Sequence, residues 1–187
     1  MLSLAFSEKS LEVQRNVVIE EFKQRYLNQP YGDVWLKLKP LAYQVHPYQW
    51  ATIGKEISHI ENAKMEDVKA FFAKHYNPSN AILVVAGAVG LADVKALCEK
   101  WFGPIPAGKK YQRVLPVEPK QLAERSQKVS AKVPTDAIYK AFHIDSRLSG
   151  KYNIADLISD ILSRGESSRL YQSLVKNKRI FSDINAY

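Results

Sequence analysis

The hydrophobic pattern of the chain is mainly helical, and it is clearest in residues 11–27, LEVQRNVVIEEFKQRYL. Apolar side chains recur there close to the i, i+3, i+4 spacing of a stripe that is buried along one side of a helix. The residues of this stripe are Leu11, Val17, Val18, Phe22 and Tyr26. The spacing predicts a single helix from Leu11 to Leu27.

Two adjacent glutamates in this helix have different neighbours. Glu21 has Val17 and Val18 at i−4 and i−3, so it lies at the edge of the apolar stripe, whereas Glu20 faces polar residues and water. A carboxylate at the edge of a buried stripe needs a cation, hydrogen-bond donors or a metal. Helix periodicity by itself favours an ion pair between Glu21 and Arg25 at i+4.

Further amphipathic segments predict helices along the rest of the chain. Breaks at Asn28–Asp33, Asn77-Pro78 and Gly103-Pro104 separate some of these helices, and Gln44–Asn62 has no clear period and predicts a long loop. The predicted helices are Val34 to about Tyr43, Met65–Tyr76, Leu91–Phe102, Tyr152–Leu162 and Ser168–Val175.

Several short apolar runs instead predict strands. Asn80–Val89 (NAILVVAGAV) is β-branched and bounded by breakers, which is typical of a buried central strand. Gln127–Val133 and Ala137–Ile144 are expected to pair across a turn at residues 134–136, and Ile180–Tyr187 is expected to begin another strand.

Four prolines and little periodicity between Gly103 and Glu124 indicate a linker. We therefore predict an α/β (α+β) chain divided into a first unit at residues 1–106, a linker at 107–125 and the start of a second unit at 126–187.

Composition sets limits on the function. The chain has 187 residues, 46% of them hydrophobic and 25% charged, as in soluble globular proteins. The net charge is +8, with much of the excess in Lys109–Lys132 and Arg164–Arg179. These cations are spread through linker, strand and helix without a basic run or an aromatic-basic module, so solvated surface is favoured over nucleic-acid binding. No apolar run is long enough to span a membrane.

The N-terminal residues and the cysteine content bear on the compartment. The start of the chain, MLSLAFSEKS, lacks the basic region and cleavage site of a signal peptide. Cys98 is the single cysteine, so an internal disulfide is impossible and a buried structural thiol is expected. We expect a cytoplasmic, bacterial-type location.

Three separated blocks of residues resemble the insulinase/pitrilysin family of zinc metallopeptidases, which includes the mitochondrial processing peptidases. The first block is the pattern R-x-V-[IV]-x-x-E, matched by Arg15, Val17, Val18 and Glu21. The second is F-x-x-x-Y-x-P-x-N-x-x-L-x-x-x-G, matched by Phe72, Tyr76, Pro78, Asn80, Leu83 and Gly87. The third is L-x-x-G-x-S-S-R-L, matched by Leu162, Gly165, Ser167, Ser168, Arg169 and Leu170.

The resemblance implies a partial zinc site in this chain. In the family an HxxEH helix supplies two His ligands and a general-base Glu, and a later helix supplies a Glu as third ligand. Glu21 falls on that third-ligand position, and Gln14 stands where many relatives carry a supporting second Glu. No HxxEH surrounds any of the four histidines, so no catalytic residue is expected here and the motif is expected upstream. These histidines are His46, His59, His75 and His143.

The resemblance also implies a fold and a function. The fold would be two similar units of antiparallel sheet with helices packed on one face, like a LuxS/processing-peptidase-like half. The function would be that of part of a Zn²⁺-dependent endopeptidase that cleaves unstructured peptides, with the isolated chain inactive and a second homologous half or partner subunit completing it. Val175 and Ser182 occupy the places of an Arg/Tyr pair that the non-zinc half of the family uses to grip substrate. The alternative is a non-catalytic structural or interaction module that assembles with a catalytic partner.

Overall fold

The structure, a computed structural model that describes residues 5–187, consists of helices joined by irregular segments. The α-helices are α1 (Glu8–Phe22), α2 (Val34–Ala42), α3 (Ile57–Glu61), α4 (Met65–His75), α5 (Leu91–Phe102) and α6 (Gly150–Ser163). Two π-helical segments, Lys23–Leu27 and Tyr171–Asn177, and two short 3₁₀ turns, Pro47–Gln49 and Pro78–Asn80, complete the helical structure of this part of the chain.

The predicted α/β fold with antiparallel sheets is wrong for the described residues, which form helices and no strand. Asn80–Val89 is not a central strand: after the 3₁₀ turn it is irregular backbone, and Ile82 and Val84 are largely exposed. Residues 127–133, 137–144 and 180–187 form no strands either. β-branched residues favour extended backbone locally, but a strand also needs a partner at hydrogen-bonding distance. Within residues 5–187 the single β-bridge joins Ala51 and Gly54.

Most of the predicted helices are confirmed, and local chemistry explains where they begin. Ser7 caps α1: its side chain accepts a hydrogen bond from the Ser10 N–H (3.1 Å), and the Ser10 hydroxyl accepts one from the Ser7 N–H (3.2 Å). At the start of α4, the Asp67 side chain likewise accepts a hydrogen bond from the Lys64 N–H (3.0 Å). α5 has the predicted bounds. The five-residue α3 lies inside the segment predicted as a loop, because a single turn and a half leaves no measurable periodicity.

The buried side of α1 differs from the predicted one: it includes Ile19 and excludes Val17. Ile19 and Phe22 are buried, and α1 packs against α3. Val17, which was assigned to the buried stripe, is 54% exposed, whereas Phe22 is 4% exposed. A stripe centred on Ile19 and Phe22 is narrower than the predicted one and turns the Val17 side of the helix to solvent.

The chain divides into two compact units, one ending at Tyr139 and the other spanning Lys140–Tyr187. In the first unit, Tyr31 adopts a left-handed backbone conformation (φ 62°). Its hydroxyl donates to the Thr135 carbonyl (2.7 Å) and accepts from the Thr135 N–H (3.1 Å). In the second unit, the Ser163 hydroxyl at the end of α6 donates to the Ala186 carbonyl (3.1 Å). The domain bounds proposed from sequence remain a prediction.

No helix within residues 5–187 is both long enough and apolar enough to cross a bilayer.

The rotation of α1 can be tested by truncating one residue on each side of the helix. Phe22→Ala removes a buried ring and should lower the free energy of unfolding by ~3 kcal/mol. Val17→Ala, on the exposed side of the same helix, should change it by less than ~0.5 kcal/mol. Urea denaturation followed by circular dichroism measures both values. Equal losses for the two variants would place Val17 in the core and contradict this rotation.

Candidate functional site

The carboxylate of Glu21 lies on the solvent side of α1. Its nearest ionic partner is Arg25 at i+4, with 3.6 Å between Oε1 and Nη2, and the Glu21 side chain is 52% exposed. Glu20 pairs with Lys23 at 2.7 Å and is 57% exposed. The expected contrast in burial between the two glutamates is therefore absent in this chain, and the Glu21–Arg25 pair expected from periodicity is present.

Helix geometry explains the exposure of Glu21. At 3.6 residues per turn, Glu20 and Glu21 each lie ~130° around the helix from the centre of the buried stripe at Ile19 and Phe22, one on either side of it. Residues that precede Glu21 on this side of the helix are exposed as well: Val17 four positions before it, Gln14 seven positions before it and Val13 eight positions before it. We call Val13, Gln14, Val17 and Glu21 the open face of α1. It combines two apolar side chains with an amide and a carboxylate. The ion pair of this carboxylate with Arg25, at 3.6 Å, is longer than the 2.7 Å pair of Glu20 with Lys23.

The described part of the chain does not hold a complete zinc site. No group of three or more His, Cys, Asp and Glu side chains comes together within residues 5–187 in a way that could hold a metal ion. Structural and catalytic zinc sites need three or four protein ligands. The Glu21 carboxylate is accessible and its oxygens are not occupied by backbone donors, so it fits the part of a single ligand. The other ligands that such a site needs are not gathered around Glu21 within residues 5–187.

Arg15, the first residue of the zinc-family motif, fixes α1 to the chain that follows α3. Its Nη2 donates to the Ala63 carbonyl (2.7 Å), and its Nη1 pairs with Glu12 on the preceding turn. The Arg15 side chain is largely buried, and its Nε has no partner among the described residues. Arg15 therefore sets the position of the helix that carries Glu21, and it does so from the buried side, away from the open face.

π-Helical segments closely follow two of the three family-like blocks. Lys23–Leu27 begins two residues after Glu21, and the Asn28 N–H closes the wider turn on the Lys23 carbonyl (2.8 Å). Tyr171–Asn177 begins directly after Leu170 and contains Val175. π-Helical turns are rare and occur often at functional sites, because they change the direction in which the following side chains project.

A second polar cluster, which sequence reasoning missed, binds the predicted linker to the end of α2. Glu118 accepts three hydrogen bonds from successive backbone N–H groups: Gln44 donates to Oε1 (2.7 Å), and Val45 and His46 donate to Oε2 (2.9 Å each). Arg125 donates to the Leu41 carbonyl in the last turn of α2 (2.8 Å). We call this pair of attachments the Glu118–Arg125 clasp.

The clasp is held by charge as well as by hydrogen bonds. Partial desolvation of the Glu118 carboxylate opposes its ionisation, but the N–H donors of His46, Gln44 and Val45 and the nearby Arg125 charge outweigh it and lower the pKa of Glu118 to about 2. Three consecutive N–H groups converging on one carboxylate form a backbone anion-binding nest. In the sequence Glu118 is one exposed-looking acid in a proline-rich linker, and no local pattern distinguishes it.

His46 has a structural role beside this nest. Its Nδ1 accepts a hydrogen bond from the Tyr48 N–H (3.1 Å), and its ring contacts Tyr48, with 4.3 Å between ring centroids. Burial, followed by the neighbouring Tyr48 and Glu118, raises the pKa of Tyr43, which packs against the same rings. His75, on α4, contacts Phe71 and Tyr111. His46 and His75 therefore both lie in aromatic clusters rather than beside Glu21.

Comparison with known proteins identifies the family. Residues 62–187, more than half of the chain, match the family described as the peptidase M16 inactive domain. The chain belongs to the peptidase M16 family. The resemblance to insulinase-class peptidases that the sequence motifs indicated is thereby confirmed. The match to this M16 domain begins at the end of α3, so α1 and Glu21 precede it.

Individual relatives agree with this assignment. The chain is 31% identical over 187 residues to the "Zinc protease PqqE" of Helicobacter pylori, covering 97% of this chain and 41% of that protein. A crystal structure of a protease from Helicobacter pylori superposes on all of this chain and 46% of its own, with TM-score 0.72 and 29% identity. The peptidase M16 inactive domain of Pseudomonas fluorescens, at 21% identity and TM-score 0.59 over 92% of this chain and 41% of its own, shares the fold. The chain thus spans less than half the length of these M16 relatives.

The Glu118–Arg125 clasp predicts a pH-dependent contribution to stability. Because the pKa of Glu118 is about 2 in the folded protein and 4.5 ordinarily, the stabilisation is complete above pH 4.5 and is lost as the pH falls through about 2. Glu118→Gln should lower the melting temperature at pH 7, and its difference from wild type should shrink between pH 5 and pH 3. Differential scanning fluorimetry across this range measures the difference.

Glu124→Gln is the matched control, since Glu124 is an exposed acid of the same linker. It should melt like wild type at every pH. A Glu118→Gln deficit that is independent of pH, or equal to that of Glu124→Gln, would show that the carboxylate charge does not hold the loop.

Proposed function

We propose that this chain is part of a zinc-dependent metalloendopeptidase that hydrolyses peptide bonds in unstructured peptides, and that Glu21 is one of its zinc ligands. The observation that carries the proposal is the accessible carboxylate of Glu21 on the open face of α1, at the glutamate of the R-x-V-[IV]-x-x-E motif. A relative named a zinc protease supports the same assignment, since its similarity extends over nearly the whole chain.

The open face suggests how the site is completed. Val17, one turn before Glu21, and Val13, one turn earlier still, are exposed apolar residues, and exposed apolar residues on one side of a helix favour cover by another apolar element. We propose that a part of the longer protein bearing the HxxEH motif covers this face and brings two histidines and a general-base glutamate to Glu21. Bound zinc would supply Lewis-acid activation of water for attack on the peptide bond. Gln14, beside Glu21 on the same face, would support the ligand by hydrogen bonding.

The remaining parts of such an enzyme would also come from outside this chain. The chain covers 41% of the zinc protease and 46% of the crystallised protease that it resembles. Val175 and Ser182 replace the substrate-gripping Arg and Tyr. We therefore propose that a second homologous half, or a partner subunit, supplies these groups. A cytoplasmic location remains part of the proposal.

A second candidate is a non-catalytic M16 module that assembles with a catalytic partner. It is favoured by the description of the matched family as an inactive domain and by the lack of a metal-binding group within residues 5–187. The two candidates differ in the longer protein: an intact HxxEH there supports the peptidase, and its loss supports the module.

Zinc binding by the isolated chain should be weak. One carboxylate provides a third of the protein ligands that a catalytic zinc needs, so the 187-residue chain should not retain stoichiometric zinc after dialysis and should not cleave peptides. Metal content by plasma mass spectrometry, on protein without a purification tag, checks this result. Tight one-to-one zinc in this material would contradict the assignment of the missing ligands to another part of the protein.

Within the longer, zinc-loaded protein, Glu21→Gln tests the proposed ligand. The substitution keeps the size and removes the charge, so it should release or loosen zinc and reduce cleavage of a quenched fluorescent peptide at least ~100-fold. Glu20→Gln is the matched control one residue away, and both properties should stay within about twofold of wild type. Gln14→Glu should retain zinc and activity, since it adds a carboxylate that a bound cation tolerates.

The comparison between the two glutamates decides the proposal. If Glu20→Gln and Glu21→Gln have the same zinc content and the same activity, Glu21 is not the ligand. If the longer protein has HxxEH yet Glu21→Gln retains both, the third ligand lies elsewhere.

A further inference from the structure

Tyr31 stands in a tight turn, at a position that ordinarily favours a different residue. The turn spans residues 29–32, and the Gly32 N–H donates to the Gln29 carbonyl (3.1 Å). A proline at the second position of the turn and a φ of 62° at Tyr31, its third position, are the features of a type II turn. That third position is usually glycine or asparagine, because a Cβ crowds the backbone in the left-handed region. The backbone of Tyr31 is therefore strained.

The glycine of this turn stands one position later, where it packs against the π-helical segment that follows α1. A Cβ on Gly32 would come within 2.8 Å of the Tyr26 carbonyl oxygen and 3.1 Å of the Arg25 carbonyl oxygen. The Gln29 side chain also donates a hydrogen bond to the Arg25 carbonyl (2.6 Å). The turn is therefore attached directly to the segment Lys23–Leu27, and a change in the shape of the turn would disturb that segment.

The side chain of Tyr31 binds the backbone of a residue that is 104 positions away in the sequence. Its hydroxyl donates to the Thr135 carbonyl (2.7 Å) and accepts from the Thr135 N–H (3.1 Å). The Thr135 hydroxyl lies 3.2 Å from the same oxygen. One phenol hydroxyl thus engages both backbone groups of a single residue, as a neighbouring strand would do. We call these contacts the Tyr31–Thr135 latch.

Two opposing free-energy terms of similar size meet at Tyr31. The left-handed conformation of a residue with a Cβ costs about as much as one intramolecular hydrogen bond contributes. Tyr31 is half-buried and Thr135 is exposed, so water can replace these hydrogen bonds when the side chain leaves. Strained backbone of this kind persists where the surroundings hold it, and it is frequent in switch regions. The latch is therefore close to balance between a closed state and an open state in which Tyr31 returns to a negative φ.

The latch joins two parts of the first unit that differ in structure. On one side, residues 127–144 form no helix or strand, and the first unit ends at Tyr139, four residues after Thr135. Irregular backbone has few hydrogen bonds of its own, so one side-chain contact has a large effect on its position. On the other side, the turn binds the carbonyl of Arg25, the residue that pairs with Glu21.

We propose that the Tyr31–Thr135 latch is a strained conformational switch. When it is closed, it holds the turn and the π-helical segment behind Glu21 against residue 135. When it opens, relief of the strain at Tyr31 rearranges the turn and loosens that segment. A displacement of the chain that leads into the second unit is thereby transmitted to the C-terminal end of α1. That this end carries a zinc ligand rests on the proposed function; the latch and its strain do not.

The direct test is amide hydrogen exchange of the 187-residue chain, followed residue by residue by NMR and expressed as protection factors, which correct for changes in sequence. Tyr31→Phe removes the hydrogen bonds of the latch and keeps the strain. It should lower the protection of the Thr135 amide about fivefold or more. The Gly32 and Asn28 amides should lose about threefold or more, because the strained turn then opens. Asn28 reports on the π-helical segment, since its N–H donates to the Lys23 carbonyl (2.8 Å).

Tyr31→Gly separates the strain from the hydrogen bonds. It also removes the phenol, so the Thr135 amide should lose protection as it does in Tyr31→Phe. Glycine adopts the left-handed conformation without the Cβ penalty, so the turn should keep its shape. The Gly32 and Asn28 amides should then stay within about twofold of wild type. A general loss of structure would lower their protection in both variants.

Thr135→Ala is the matched control at the other end of the latch. It removes the 3.2 Å side-chain contact and keeps the backbone groups that the phenol binds, so the three protection factors should stay within about twofold of wild type. The Ala186 amide is a control inside every variant. It lies in the second unit and donates to the Ser163 hydroxyl (2.7 Å), so its protection should not change.

Equal protection of Gly32 and Asn28 in Tyr31→Phe and Tyr31→Gly would overturn the proposal, since no strain would then be released. A Thr135 amide that is as unprotected in wild type as in Tyr31→Phe would show that the latch does not form. An equal loss at Ala186 would show that the whole chain is destabilised, which would also overturn it. These results leave the zinc assignment untouched, because the assay contains no zinc and that assignment is decided by the variants of Glu20 and Glu21.

Discussion

The packing of one side of α1 determines how this chain can present its chemistry. Ile19 and Phe22 are among the few buried apolar residues in the described part of the chain, and Arg15, on the same side of the helix, reaches the Ala63 carbonyl beyond α3. These three contacts set the rotation of α1. With that rotation fixed, helix geometry places Glu21 and Val17 on the opposite, open side. A change at Phe22 would therefore alter the presentation of Glu21 without touching its carboxylate.

The same rotation explains why Glu20 and Glu21 look alike in this chain and can still differ in function. Both carboxylates are half-exposed and each has a lysine or arginine within one turn. Their surroundings differ: Glu21 follows Val17 and Val18 at i−4 and i−3, whereas Glu20 follows Asn16 and Val17 at those positions. An element covering the side of the helix between Val17 and Val18 would desolvate Glu21 more than Glu20. Burial of a carboxylate requires a compensating charge, which a metal ion provides.

Local patterns in the sequence predicted the helices. The strand predictions were wrong because a strand also depends on pairing with distant segments, which local patterns do not encode. Repeated apolar spacing and neighbouring breakers placed α4 and α5 almost at their bounds, because both signals act within a few residues. Asn80–Val89 has the composition of a strand, but whether it pairs depends on segments far along the chain. The family was predictable from three short motifs. Glu118 was not, because the donors that hold its carboxylate, Gln44 to His46, lie more than 70 positions away.

The Glu118–Arg125 clasp shows how a charged cluster can serve the structure of the fold. At Glu118 the anion and its donors are both supplied by the chain, three N–H groups to one carboxylate, so nothing remains to be satisfied. A fold gains stability from a closed set of polar contacts and loses it from an open one. The Glu118–Arg125 clasp is a closed set, and the stability of the fold is therefore a sufficient explanation for it.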